Sequence, residues 1–204
     1  MARLSADAAA IVVGTFHDGV QSGSTVIGKL RVRRVLKGPF VLDEELPVRA
    51  EVPGGGLRNS TPISGLWFLS GGRSSWSALP VINTSQNNFD EMYIRVPVDA
   101  PQAPFVVPEA ASASEKVTAE LASALMTAPP YPYLAEQTLT LAEDMAASPV
   151  IESIFRVFAD SSDSRWRWLG ISGFIDSGDL NLDREAVVSP PVRISGTSSR
   201  GSPA

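Results

Sequence analysis

The chain has 204 residues, with 17 Lys/Arg against 22 Asp/Glu and a formal net charge of −5. This acidic balance argues against a dedicated nucleic-acid binder, and a hydrophobic content of 44% is that of a globular protein rather than a disordered one. There is no cysteine, which removes disulfides, thiolate catalysis and Cys-based zinc sites together.

Charge is divided unevenly along the chain. Ten Lys/Arg stand against eight Asp/Glu up to Val98, and seven against fourteen from Asp99 onward. Such asymmetry points to two units with different surfaces. Read as it stands, the start carries no export signal. Asp7 interrupts it, and the apolar run from Ala8 to Val13 is too short for a signal-peptide core. No apolar run approaches the roughly 20 residues that span a membrane.

Ala8 to Phe16, with Ile11, Val12 and Val13, predicts a buried first strand, and His17 to Ser24 predicts a polar, Gly-rich turn. Thr25 to Leu36 predicts the longest strand. Val26, Gly28, Leu30 and Val32 alternate with Lys29, Arg31 and Arg33, so one face is apolar and the other basic. The phase slips at Arg33-Arg34, as a β-bulge would make it. Glu45 to Val52 is the third strand, with Pro47 indicating an edge or a strand start. Pro53 to Gly56 reads as a flexible loop. Gly65 to Ser70 is continuously apolar and predicts a central strand. Ser75 to Ile82 and Met92 to Val98 are fainter candidates. Five or six short strands with Gly-rich turns imply a small barrel or sandwich.

Asp99 to Ala111 holds Pro101, Pro104 and Pro108 and reads as a linker. The period then changes. Ser112 to Glu115 fits a capping box, and Val117, Leu121 and Leu125 predict an amphipathic helix. A second helix is expected over about Pro132 to Ala147. Ser148-Pro149 starts a third, through Phe158. Asp163 caps a fourth over Ser164 to Ser177, with Trp168, Leu169 and Ile175 apolar and Gly178 as its C-terminal cap. From Glu185 the chain is rich in Ser, Pro and Gly and predicts no fold.

Candidate chemistry is sparse. His17, the one histidine, stands beside Asp18 in the predicted turn, where polar residues collect in any case. Catalysis would need a polar, cleft-lining cluster around it. No nucleophile elbow, Walker loop, His-Glu-x-x-His or Gly-x-Gly-x-x-Gly is present. Asp179, Asn181 and Asp183 mimic the start of a calcium loop, but Arg184 and Pro190 stand where Gly and Glu are needed. Asn59 and Asn83 begin sequons, which matter only in a glycosylating pathway. Lys29, Arg31, Arg33, Arg34 and Lys37 form the best candidate partner surface. With Trp67 or Trp76 for stacking, they could serve single-stranded nucleic acid; alternation alone also explains them as a solvated face. Of Trp166 and Trp168, set among Arg165 and Arg167, one is expected to be exposed at a protein interface, and Trp166 is taken as that residue.

Asp7 to Thr15, then Gly28 to Gly38 ending Val-Leu-Lys-Gly, then Leu66-Trp67-Phe68-Leu69, resemble bacterial extracytoplasmic domains with the OB-like barrel of netrin modules and tissue inhibitors of metalloproteinases. The resemblance spans about Asp7 to Val98 and implies a fold and an extracytoplasmic place. The inhibitors' N-terminal cysteine mechanism does not carry over to a chain without cysteine. Asp163 to Leu180 resembles one helix of a HEAT-like repeat.

The fold class expected is therefore α+β in two domains. An OB-like antiparallel barrel at 7–99 is followed by a linker at 100–111, a small HEAT-like helical domain at 112–183 and a disordered tail at 184–204. The function expected is a non-catalytic protein-interaction module with a protein partner and no cofactor or metal. An OB-type single-strand binder is the alternative, and an enzyme of unrecognised type comes third.

Overall fold

The computed structural model describes residues 2–51, 62–72, 75–81, 93–94, 96, 98, 105, 107–127 and 148–176. The elements are α1 (Ala2–Asp7), β1 (Ala10–Ser22), β2 (Thr25–Lys37), β3 (Glu45–Glu51), β4 (Ile63–Gly72), β5 (Ser75–Leu79), α2 (Ala113–Thr127), α3 (Pro149–Ala159) and α4 (Ser164–Asp176). The molecule is α+β: an N-terminal five-stranded barrel followed by helices. The strands close in the order β1-β2-β3-β5-β4, consistent with an OB-like barrel. All pairings are antiparallel except β3 with β5, a short parallel contact at Val48↔Trp76 and Arg49↔Ser77.

Alternation explains which strands are apolar on both faces. On β1, Ala10, Val12 and Phe16 point into the barrel, while Ile11 and Val13 point out. On β4, Trp67 and Leu69 point in and Leu66 and Phe68 point out. The outward set packs against Val117, Leu121 and Leu125 of α2 and Ile151, Ile154, Phe155 and Phe158 of α3 in one apolar cluster. The β1–β4 wall is thus buried on both sides, which is why both strands read as continuous apolar runs. Inside the barrel, Trp67 lies between Phe16 and Tyr93, with ring centroids 5.6 Å and 4.8 Å away, and donates from Nε1 to the Gly14 carbonyl at 3.0 Å. Gly28 makes room for Phe16: a Cβ there would meet the His17 carbonyl oxygen at 2.8 Å and the Phe16 ring closer still.

β2 keeps the predicted alternation, with Val26, Leu30 and Val32 inside. The phase slip is real. Val13 pairs with Arg34 and Gly14 with Val32, so Arg33 is the bulged residue. Beyond it Leu36 turns into the barrel–helix cluster.

Four expectations change. His17 to Gln21 continue β1 rather than forming a turn. The ladder runs to Ser22↔Thr25, with its irregularity between His17 and Val20 and Asp18 at φ 53°. Their polarity reflected exposure at the end of a long hairpin. The Met92 to Val98 candidate reduces, among its described residues, to a single bridge of Ile94 with Leu66. α1, which no periodicity announced, is capped by Lys37, whose Nζ donates to the Ser5 and Ala6 carbonyls at 3.1 and 2.9 Å. Finally, α2 is buried on all its faces from Val117 to Leu125 instead of being amphipathic. Its polar residues find internal partners: the Thr118 hydroxyl donates to the Ser114 carbonyl at 2.9 Å, and Glu120 meets Arg34.

The predicted caps hold. The Ser112 hydroxyl accepts from Glu115 N at 3.2 Å, and the Glu115 carboxylate accepts from Ser112 N at 2.6 Å. Ser148 caps α3 with Pro149 in its first turn, and Asp163 Oδ1 accepts from Arg165 N at 2.9 Å at the start of α4. The expected helix at 132–147, the Gly178 cap, the calcium-loop mimic, both sequons and the tail lie outside the described residues. No helix among the described residues is long and apolar enough to cross a membrane.

Candidate functional site

The helices cover the wall made by β1 and β4, and the wall made by β2, β3 and the far half of β1 stays open to solvent. Register fixes what that wall presents. Thr15, Arg31 and Glu45 stand in one row, His17, Lys29 and Pro47 in the next, and Val20, Ile27 and Arg49 in a third.

The basic stripe of the sequence divides in two. Lys29, Arg31 and Arg33 lie on the open wall, each beside a carboxylate. Arg31 donates to Glu45 Oε1 at 2.7 Å, Lys29 Nζ lies 3.7 Å from Glu45 Oε2, and Arg33 donates to Asp43 Oδ1 at 2.6 Å. Arg31 holds the Glu45 carboxyl below its ordinary range, and Glu45 in turn raises the Arg31 guanidinium.

Arg34 and Lys37 are turned away from this wall by the bulge. Arg34 makes a two-pronged pair with Glu120 of α2, both contacts at 2.9 Å, and a third bond to the Val98 carbonyl at 2.8 Å. Glu120 has a side chain only 1% exposed. Arg34 ties the barrel to α2, and Lys37 ties it to α1 through the Ser5 and Ala6 carbonyls.

His17 lies in a cleft of about 300 Å³ lined by Thr15, His17, Asp18, Arg31, Arg33 and Pro62. Its Nδ1 is 3.1 Å from Asp18 and its Nε2 is 3.4 Å from Glu45. The second contact lacks hydrogen-bond geometry, so we read it as electrostatic proximity only. Because the two ring nitrogens face different carboxylates, they do not converge on one metal ion. Among the described residues there is no group of three or more metal-capable side chains. The nearby Thr15 hydroxyl is bonded to Ser64 Oγ at 3.0 Å rather than to His17, so these two do not form a nucleophile–base pair.

Both tryptophans considered for base stacking are inside. Trp67 is fully buried, and Trp76 is covered by Phe40, edge to face at 5.0 Å. On α4 it is Trp168 that is exposed, at 66%, whereas Trp166 packs on Phe158 with centroids 5.9 Å apart.

Sequence reasoning missed Val20 and Ile27, which face each other across the hairpin at 70% and 54% exposure. Ile27 carried a signal: it falls in the outward phase of β2, with Lys29 and Arg31, where a polar residue is expected. Val20 was hidden by the reading of its segment as a turn.

No protein-family model, curated protein or solved structure matches the chain.

Proposed function

We propose that the protein is a non-catalytic protein-interaction module that binds a protein partner through the open β1–β2–β3 wall. The observation that carries this reading is the Val20–Ile27 pair. It is an apolar patch set on the uncovered wall and rimmed by Lys29 and Arg49. Apolar centres with polar rims are the anatomy of interfaces. In this reading the barrel at 7–99 is the binding unit, of the netrin and metalloproteinase-inhibitor type, and the helical part at 112–183 is a short HEAT-like cover that fixes one wall. The protein would act outside the cytoplasm, as the resemblance implies.

The single-strand reading loses support from the pairing of Lys29, Arg31 and Arg33 with Glu45 and Asp43, and from the burial of Trp67 and Trp76. Single-strand grooves need unpaired cations and exposed rings. An enzyme reading draws only on the cleft at His17, where the hydroxyl of Thr15 is engaged elsewhere.

The test is a double variant, Val20→Asp with Ile27→Asp. Both side chains are exposed, so the fold should keep its thermal midpoint within about 3 °C. Partner association in the source cells should fall at least tenfold. Undiminished association would overturn the reading. Salt-dependent binding of single-stranded DNA, lost in Arg31→Glu with Arg33→Glu, would replace it with the nucleic-acid one.

A further inference from the structure

A second concavity lies at the other end of the open wall. It opens where β3 and β5 part below their two-residue parallel contact, and its volume is about 440 Å³. Pro39, Phe40, Pro47 and Trp76 give it apolar sides, and Glu44 and Glu45 stand at it. Phe40 packs edge to face on the buried Trp76, which fixes the Phe40 ring at the groove. The neighbouring Val41 and Leu42, each 66% exposed, extend the apolar surface along the β2–β3 loop.

Two features select among occupants. Pro47 lacks an N–H, so β3 is a poor template for an added strand at this point. A polyproline-type segment, whose backbone stays solvated and whose rings lie on aromatic and proline surfaces, has no such requirement. The charge is also one-sided, since among the described residues the lining holds two carboxylates and no cation. Glu45 is shared with Arg31 and Lys29, whereas Glu44 is in no ion pair among the described residues. One of its oxygens, Oε2, accepts from Val41 N at 3.1 Å.

We propose that this groove binds an extended, proline-containing segment of a partner protein that carries Arg or Lys, with the prolines on Phe40 and Pro47 and the cation at Glu44. The proposal rests on the interaction-module reading and adds a partner chemistry to it.

The experiment is an amide NMR titration of the full-length 15N-labelled chain with a synthetic peptide of Pro-Pro-Arg triplets. Peptides of Pro-Pro-Glu and of Ala-Ala-Arg triplets, equal in length, are the controls. The expected result is saturable shifting of Phe40, Leu46 and the Trp76 indole by the Pro-Pro-Arg peptide alone. Glu44→Gln, which keeps an acceptor for Val41 N, should weaken binding about tenfold, the loss expected for one charge-assisted contact. Equal response to the Ala-Ala-Arg peptide would reduce the effect to charge and overturn the proposal. So would shifts confined to Val20 and Ile27, no saturable shift at all, or groove shifts that grow with protein concentration alone, which would name a second copy as the occupant. Failure here together with loss of the natural partner in the Val20/Ile27 double variant would leave the interaction module standing without this groove.

Discussion

Arg34 and Glu120 illustrate how one side chain acquires a role its neighbours do not share. The bulge at Arg33 rotates Arg34 off the solvent face and onto α2, where Glu120 is almost wholly buried and receives it with two parallel bonds. A pair like this adds little net stability over an apolar pair of the same shape, but removing one partner strands a buried charge. Arg34→Met, which leaves the Glu120 carboxylate buried, should therefore cost about 3–5 kcal/mol in urea unfolding, while Arg34→Met with Glu120→Leu should cost far less. Equal losses in the two would mean that packing rather than charge governs the joint. Glu45 is the contrasting case, since its ion pairs lie at the surface, where such contacts contribute little to stability. Their effect is instead to neutralise Lys29 and Arg31 on the open wall.

At the scale of elements, Glu115 does more than close the capping box of α2. Its carboxylate accepts from Ser112 N and also from the hydroxyl of Ser148, the N-cap of α3, so one side chain joins the starts of two helices. The Ser148 hydroxyl is the largest cause of its lowered pKa. A carboxyl whose folded pKa lies below its ordinary value of 4.5 stabilises the fold above that pH, and the contribution fades as pH falls through the folded value. The stability gap between the wild type and Glu115→Gln should be constant at neutral pH and shrink progressively below about pH 4.5. A gap that stayed constant into acid would contradict the ionised link. Ser112→Ala should cost about 1 kcal/mol at neutral pH. The close approach of α3 and α4 has a simpler basis: Gly170 lies against Ala159 and Phe155, where a Cβ would stand 2.7 Å from the Phe155 carbonyl oxygen.

Much of this was legible locally, because caps and alternation are written in adjacent residues. Ser112 with Glu115, Ser148-Pro149, Asp163, the inward set of β2 and the slip at Arg33-Arg34 all depend on short-range chemistry. What was not legible depends on distant partners. Nothing near Arg34 in sequence says that a carboxylate 86 residues away awaits it. The amphipathic reading of α2 failed for the same reason, since Val117, Leu121 and Leu125 mark one face and nothing local says that Glu120, on another, is buried against Arg34. The candidate site was legible as a basic strand, but its neutralisation by Glu45 and Asp43 required the β2–β3 register, and its apolar centre required recognising Val20 as part of a strand.

At the scale of the whole molecule, the barrel is divided into a covered and an open wall, and the proposed function rests on that division. The apolar cluster shared by β1, β4, α2 and α3 fixes one side of the barrel, and the interior around Trp67 fixes its shape. The open side carries paired charges, an exposed apolar pair at one end and an aromatic, acidic groove at the other. In the proposed reading, this surface meets a folded or extended protein. The most direct test places a photo-crosslinking amino acid at Ile27 in the source cells, with the same group at exposed Trp168 on α4 as the control. The account predicts a discrete, protease-sensitive and nuclease-resistant adduct from position 27 and none of that size from 168. A nuclease-sensitive adduct at 27, or the same adduct from both positions, would contradict it.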